Sequence, residues 1–410
     1  MLHRIALISV HTSPLAELGE LDTGGMNVFI RHLSKQLGEE GIAVDIFTRL
    51  NERNLPGVVQ MAPNVNIIHI KAGPHQKIDK YEIPLHLEQF IQEVDLYRQN
   101  NHLSYDLIHT NYWLSGYVGV KLKQIWNIPL IHTYHTIAIL KDMLNPYRDT
   151  PERLERINIE KEILQNINAI ITSNPHEKNF LSSTYNYPNE HIFVIPLGVD
   201  TTLFRPLPCQ DAKNYIGSTT DNKIVLYVGR IHPVKGIEWL IRAFKEVTLE
   251  REKLMLMIVG GQYGHDSKNN YLIYLKKLIY ELNLQNHIDF AGPKNQTALS
   301  YYYSASDVCV IPSLYESFGM VTLESMACGT PVVASNTGGL STTVAHGVTG
   351  FLVPPGDSQQ LSFRMKQILF NDTLRESLGK AALSWVKQFN WQEVTQSFIT
   401  VYKDITHSQI

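Results

Sequence analysis

Short β-branched runs alternate with longer amphipathic segments along most of this chain. "IALISV", "AVDIFT", "VNIIHI", "DLIHT", "PLIHTY" and "AIITSN" form a first series, and "KIVLYVG", "LMLMIVG", "HIDFAG", "DVCVIPS", "PVVAS" and "GFLVP" a second. The segments between the runs repeat at helical spacing, and that alternation is the pattern of parallel βαβ units. Between the two series, "PLGVDTTLFRPLPCQDAKNYIGSTTDNK" loses the period and gathers proline and polar residues. It reads as a connection between two doubly wound α/β domains, residues 1–200 and 201–390, with a helix over 391–410 returning toward the first. At 410 residues and 44% hydrophobic content the chain is too long for one ordinary core. Doubly wound sheets hold ligands beyond the carboxyl ends of their strands, so two that face each other make a cleft.

Composition narrows the classes of partner. A net charge of −3 argues against a protein that binds by coating nucleic acid. No apolar run reaches the ~18 residues needed to span a bilayer, and the opening "HRIALISV" is too strand-like for a signal peptide. The expectation is a cytoplasmic protein without stable membrane insertion. Three scattered cysteines, Cys209, Cys309 and Cys328, offer neither a disulfide framework nor a metal-ligand spacing. Nothing in the sequence sets the oligomeric state, and a homodimer stays open.

Three stretches carry chemistry. In "LDTGGMNVFIRHLSKQLGEEG", Gly24 and Gly25 open a helix whose Met26, Ile30, Leu33 and Leu37 share one face. A bare backbone there lets a phosphate or sugar approach N–H groups at a positive helix end. The plainer alternative is a tight turn. In "YVGRIHPVKGIEWLIRAF", Gly229 and Arg230 end a strand, and Lys235 enters a second amphipathic helix. Two cations beside free N–H groups suit a diphosphate. In "PSLYESFGMVTLESMACGTPVVAS", Glu316 and Glu324 stand eight apart across the turn Ser317-Phe318-Gly319, followed by Met320 and Val321. A carboxylate here can accept paired ribose hydroxyls, while the turn's N–H groups hold a sugar or phosphate.

The last of these stretches resembles the E-x7-E motif of the family 4 retaining glycosyltransferases, and "GR…VKG" resembles their diphosphate clamp. The likeness covers nearly the whole chain and implies the GT-B fold, two Rossmann-like domains facing across a cleft. By this resemblance the second domain holds a UDP-sugar through Gly229, Arg230, Lys235, the turn from Glu316 to Val321, and Glu324, with Gly24 and Gly25 meeting it from the first. His135, Arg230, Lys235 and Glu316 then fall at catalytic positions. No D-x-D triplet occurs, which suits an enzyme needing neither cofactor nor metal.

"GPHQKIDKYEIP", "HTNYWLSG" and "HTYHTIAILKD" are similar to the D-inositol 3-phosphate glycosyltransferases of mycothiol synthesis; sucrose-phosphate synthases share the glycine loop and E-x7-E but match these stretches less closely. The likeness implies a small phosphorylated acceptor held by Asn27, Lys80, Tyr112, Thr136 and Arg156, with Arg153 in "TPERLERINIEKE" an alternative to Arg156. Lys, Arg, Tyr and Thr together supply the cations and neutral donors that a phosphate monoester needs. The chain leans toward Lys, Asn and Ile, unlike the Ala/Arg-rich composition of actinobacterial enzymes, so another phosphorylated polyol or sugar stays open as acceptor. A UDP-sugar-binding protein without transferase activity is the alternative from another class.

Overall fold

The computed structural model of the chain describes residues 2–16, 24–143, 152–219, 221–250, 253–261 and 270–407. The first sheet contains β1 (Arg4–Ile8), β2 (Ala43–Arg49), β3 (Val58–Ala62), β4 (Val65–Ile70), β5 (Leu107–Asn111), β6 (Leu130–Thr133), β7 (Ala169–Thr172) and β8 (Ile192–Val194). Their order is β3-β4-β2-β1-β5-β6-β7-β8, all parallel except the edge strand β3, which runs antiparallel to β4. The second sheet contains β9 (Lys223–Val228), β10 (Leu254–Val259), β11 (Ile288–Gly292), β12 (Val308–Ile311), β13 (Val332–Ser335) and β14 (Gly350–Val353). Its order is β11-β10-β9-β12-β13-β14, the doubly wound arrangement of dinucleotide-binding folds.

Hydrophobic spacing sets both sheets and helices. β1 and β5 bury almost every residue because helices cover both faces of a parallel sheet. In the helix Ile237–Thr248, Ile237, Leu240, Ile241, Phe244 and Val247 are all fully buried against the second sheet. Each such side chain contributes roughly 1.5–3 kcal/mol relative to exposure. Two strands lie outside the expected series. β8 has three residues, too few to show a period, and β3 is half exposed and bounded by polar loops.

The stretch expected as a plain connection carries a short helix, Cys209–Tyr215, anchored by Tyr215 stacking on Tyr301 at 4.1 Å. The outgoing and returning crossings run side by side, with the Val199 N–H donating to the Phe389 carbonyl at 2.8 Å. The last helix, Trp391–His407, then lies on the first domain. Trp391 stacks on His32 with ring centroids 5.1 Å apart, and Phe398 packs on Phe29. Tyr402 and His109 Nδ1 share a buried hydrogen bond of 2.7 Å. No described helix is long and apolar enough to cross a membrane.

Candidate active site

In both sheets the strand order reverses beside the first strand, between β1 and β5 and between β9 and β12. Loops leaving those strands splay apart and leave a crevice, and here the two crevices face each other. The result is a cleft of about 500 Å³ lined from both domains. Gly24 and Gly25 follow β1, Tyr112 follows β5, Gly229 and Arg230 follow β9, and the turn from Ser313 to Gly319 follows β12.

On the second-domain side, Lys235 and Glu316 form an ion pair, with the Ser313 hydroxyl 3.5 Å from the same carboxylate oxygen. Arg230 is exposed in the cleft and makes no ion pair among the described residues. The approach to Lys235 depends on Gly236, whose φ of 67° favours glycine and where a Cβ would lie 2.0 Å from the Pro312 carbonyl. The helix Met320–Ala327 begins at the floor of the cleft, and its first N–H groups have no intrahelical acceptor. Opposite stands the start of the helix Gly25–Glu39; a Cβ on Gly25 would come within 3.3 Å of Met320 Sδ. Two positive helix ends therefore converge on one space, a setting suited to an anionic group.

His135 sits at the end of β6 with φ 58°, and Tyr112 opens the helix Tyr112–Trp126 with φ 73°. Both are cleft residues, and a bulky aromatic at positive φ marks backbone strain held by its surroundings. His135 Nε2 lies 2.8 Å from Asn111 Oδ1, which fixes the proton on Nε2 and leaves Nδ1 as acceptor. Burial pushes this imidazole down to about 3, so it is neutral near pH 7.

Arg156 is almost fully buried and spends its donors locally: Nε to Glu160 at 2.7 Å, Nη1 to Glu152 at 3.0 Å and to the Tyr112 hydroxyl at 3.3 Å, Nη2 to Thr136. Burial opposes its charge, but Glu160, Tyr112 and Glu152 outweigh that and hold it cationic. Lys141 pairs with Glu152, and Lys80 lies beside the Tyr81 ring. Lys80, Tyr112, Thr136, Lys141 and Arg156 all line the cleft from the first domain; the five Arg156 N–H groups are already taken, so Arg156, expected at the acceptor, orients Tyr112 and Thr136 and offers no free donor of its own.

All but three of the candidate site residues read from the sequence, Asn27, Arg153 and Glu324, line this cleft. Asn27, expected at the acceptor, is a correction: it is fully buried, receiving the Gly24 N–H and donating to Thr12 Oγ1 and the Ser13 carbonyl. It caps the first helix, both its amide hydrogens are used, and full burial keeps it out of the cleft. Glu324 lies one turn behind Met320, in a recess with His32, Gly198, Gln296 and Trp391, where it accepts from the Tyr303 hydroxyl at 2.7 Å. Burial pushes its carboxyl up to about 7, against the pull of that hydrogen bond. Arg153 lies over the Tyr81 ring at 4.2 Å, and the cleft position is that of Arg156.

Several cleft residues escape the sequence reading, among them His11, Lys141 and Glu177. His11 packs tilted against Tyr112 with ring centroids 4.6 Å apart, and its Nδ1 has no partner among the described residues. Its place just past β1, where ligands collect in doubly wound sheets, was the available signal. Lys141 follows Thr136 by about one helical turn. Glu177, in the helix Pro175–Tyr185, has no local signature at all.

The family model described as glycosyl transferases group 1 matches residues 210–385, and that of glycosyltransferase family 4 matches residues 23–203. The D-inositol 3-phosphate glycosyltransferase of Thermobispora bispora is 36% identical over 98% of this chain and 95% of its own length. That of Corynebacterium aurimucosum is 36% identical over 99% and 97%. Among solved structures, sucrose-phosphate synthase from Thermosynechococcus elongatus superposes with a TM-score of 0.89 at 36% identity, covering 99% of this chain and all of that one. HepE from Anabaena, solved with UDP and glucose, superposes at 0.77 with 21% identity over 98% of this chain and all of its own, a likeness of fold.

Proposed function

The chain belongs to the family 4 glycosyltransferases and has their GT-B fold, and from that premise we propose that it moves a hexose or N-acetylhexosamine from a UDP-sugar to a small phosphorylated polyol such as an inositol phosphate. Transfer retains anomeric configuration and uses no metal. The observation that carries the reading is that one cleft is lined by donors of both domains: Lys80, Lys141, Tyr112 and Thr136 from the first, and Arg230 and Lys235 from the second beside two facing helix starts. A phosphate monoester fits the first set and a diphosphate the second.

The chemistry is the one that membership of a retaining family implies. The acceptor hydroxyl attacks the anomeric carbon from the face the diphosphate leaves, and its proton passes to the departing phosphate oxygen. The anomeric C–O bond breaks as the new one forms, so no protein nucleophile is required. Arg230 and Lys235 neutralise the charge that develops on the leaving group. His135 Nδ1 accepts from a hydroxyl of the transferred sugar and fixes its orientation. A hexose phosphate is the second reading for the acceptor, favoured by the likeness to sucrose-phosphate synthase.

The acceptor end is tested by Lys80→Ala. Loss of one charge-assisted hydrogen bond, roughly 1.5–3 kcal/mol, should raise KM for the phosphorylated acceptor by about 10- to 100-fold while KM for the donor stays put. An unchanged acceptor KM would remove Lys80 from the site. For the nucleotide, Glu324→Ala should weaken UDP binding by a similar ~1.5–3 kcal/mol in isothermal titration, because its carboxylate accepts the ribose hydroxyls. Wild-type UDP affinity in that variant would refute the ribose role.

A further inference from the structure

A polar contact between the two domains is built around Ser317, in the turn that lines the cleft. Ser317 Oγ lies 2.7 Å from the His135 carbonyl and 2.7 Å from Glu177 Oε1, both from the first domain. The Ser317 carbonyl receives hydrogen bonds from Ser173 Oγ, at 3.2 Å, and from Asn174 Nδ2. Tyr315, from the second domain, places its hydroxyl 3.2 Å from Glu177 Oε1 and 3.2 Å from Ser317 Oγ.

Counting hydrogens decides the state of this contact. A serine hydroxyl owns one hydrogen, and a backbone carbonyl can only accept. The short approach to the His135 carbonyl therefore uses the Ser317 proton. The equally short approach to Glu177 Oε1 needs a second proton, and Tyr315, at 3.2 Å from each oxygen, does not lie between them. Were Glu177 ionised, one of the two 2.7 Å approaches would set oxygen lone pairs against each other without a hydrogen.

We propose that Glu177 is a positioning residue that joins the two domains as a neutral carboxyl, donating its proton to Ser317 Oγ, so that closing the cleft takes up one proton and orients the donor-binding turn against His135. Glu177 is buried among groups that carry no net charge toward it. The Tyr315 hydroxyl is held neutral by burial, and so is the His135 ring. Glu316, next in the chain to Tyr315, is paired with Lys235. On its own helix Lys178 donates to the Ile192 carbonyl, and His176 meets Ser341 Oγ at 3.0 Å. In the same sense, burial pushes the Glu177 carboxyl up to about 7, outweighing the polar groups around it.

The sign of the pH effect follows. A carboxyl whose pKa is higher in the closed form than in the open form favours closure at low pH. That advantage declines as pH rises from the ordinary glutamate range through about 7, then levels off. Small-angle scattering of the full chain without substrate reads closure directly. The wild type should expand between about pH 5 and about pH 8, whereas Glu177→Gln, whose amide donates at every pH, should stay compact throughout. Glu177→Ala should be expanded at both ends of the range, and rescue by glutamine but not alanine separates a hydrogen-bond donor from a space filler.

An identical pH response in wild type and Glu177→Gln would overturn the proposal, as would a Glu177→Ala protein as compact as wild type at low pH. If the alanine variant does not fold, the glutamine comparison still decides. The proposal uses the glycosyl-transfer reading only to give closure a purpose. Because the scattering needs neither donor nor acceptor, a wrong substrate assignment leaves this test intact.

Discussion

Alanine at Lys235 is expected to lower kcat/KM at least ~100-fold, and alanine at Arg230 to do nearly as much. Removing one preorganised donor from a developing charge typically costs roughly 2.7–4 kcal/mol. The structure makes the two losses unequal. Lys235 is already paired with Glu316 at the floor of the cleft, so its removal also leaves that carboxylate unpaired where the diphosphate must lie. Arg230 is exposed and free of ion pairs among the described residues, and its removal subtracts a charge without baring an opposite one. Steady-state kinetics on both variants checks this. The expected order is Lys235→Ala worse than Arg230→Ala, with EDTA leaving the wild type active. Near-normal turnover in both variants would remove the diphosphate from this end of the cleft.

The second large effect is expected at Gly25, where alanine should abolish most transfer while UDP binds almost normally. Nothing in the backbone demands glycine there: Gly25 is absent from the positions with positive φ, and alanine at the start of a helix is well tolerated. The demand comes from across the cleft. A methyl group would press on Met320 Sδ at 3.3 Å, at the meeting of the two helix ends between which the transferred sugar lies in the proposed reaction. Met320 can shift, so the fold survives, but the reacting groups are displaced, and a misplacement of about 1 Å costs on the order of 100-fold. UDP itself is held from the second domain by Lys235 and Glu324 in this account. Turnover, isothermal titration with UDP and a thermal melt on the one variant are sufficient. Wild-type turnover, or a loss matched by unfolding, would reduce Gly25 to a turn residue.

The donor end of the cleft was legible in the sequence because its pieces are local. Gly229 to Gly236, and Glu316 to Val321, are each a strand end, a turn and a helix start within a few residues, and the strand-to-helix change of period announces them. The acceptor end was not legible in that way. His11, Lys80, Tyr112, Thr136, Lys141 and Arg156 come from separate loops and helix starts, and only the parallel sheet brings them together. Family likeness supplied four of them, but no spacing rule reaches across such distances.

Asn27 shows the converse error. A polar residue three positions into a helix next to a glycine loop looks like a ligand. Yet the capping of the Gly24 N–H and the anchoring of the Thr12–Ser13 loop use both its amide hydrogens and bury it fully, away from the cleft. Glu177 is the extreme case: its partner Ser317 is 140 residues away, so its role exists only in the folded, closed molecule. The two sheets themselves were readable almost strand by strand, except where β8 was too short and β3 too exposed to carry a period.

The central claim is that the cleft joins a UDP-sugar to a phosphorylated acceptor. UDP release measured with UDP-glucose and UDP-GlcNAc, each against inositol phosphate, a hexose phosphate and the unphosphorylated forms of both, tests it most directly. The account predicts release with at least one donor that depends on a phosphorylated acceptor and falls away when the phosphate is removed. Release that is indifferent to the phosphate, or none with any pair while UDP still binds, would contradict it.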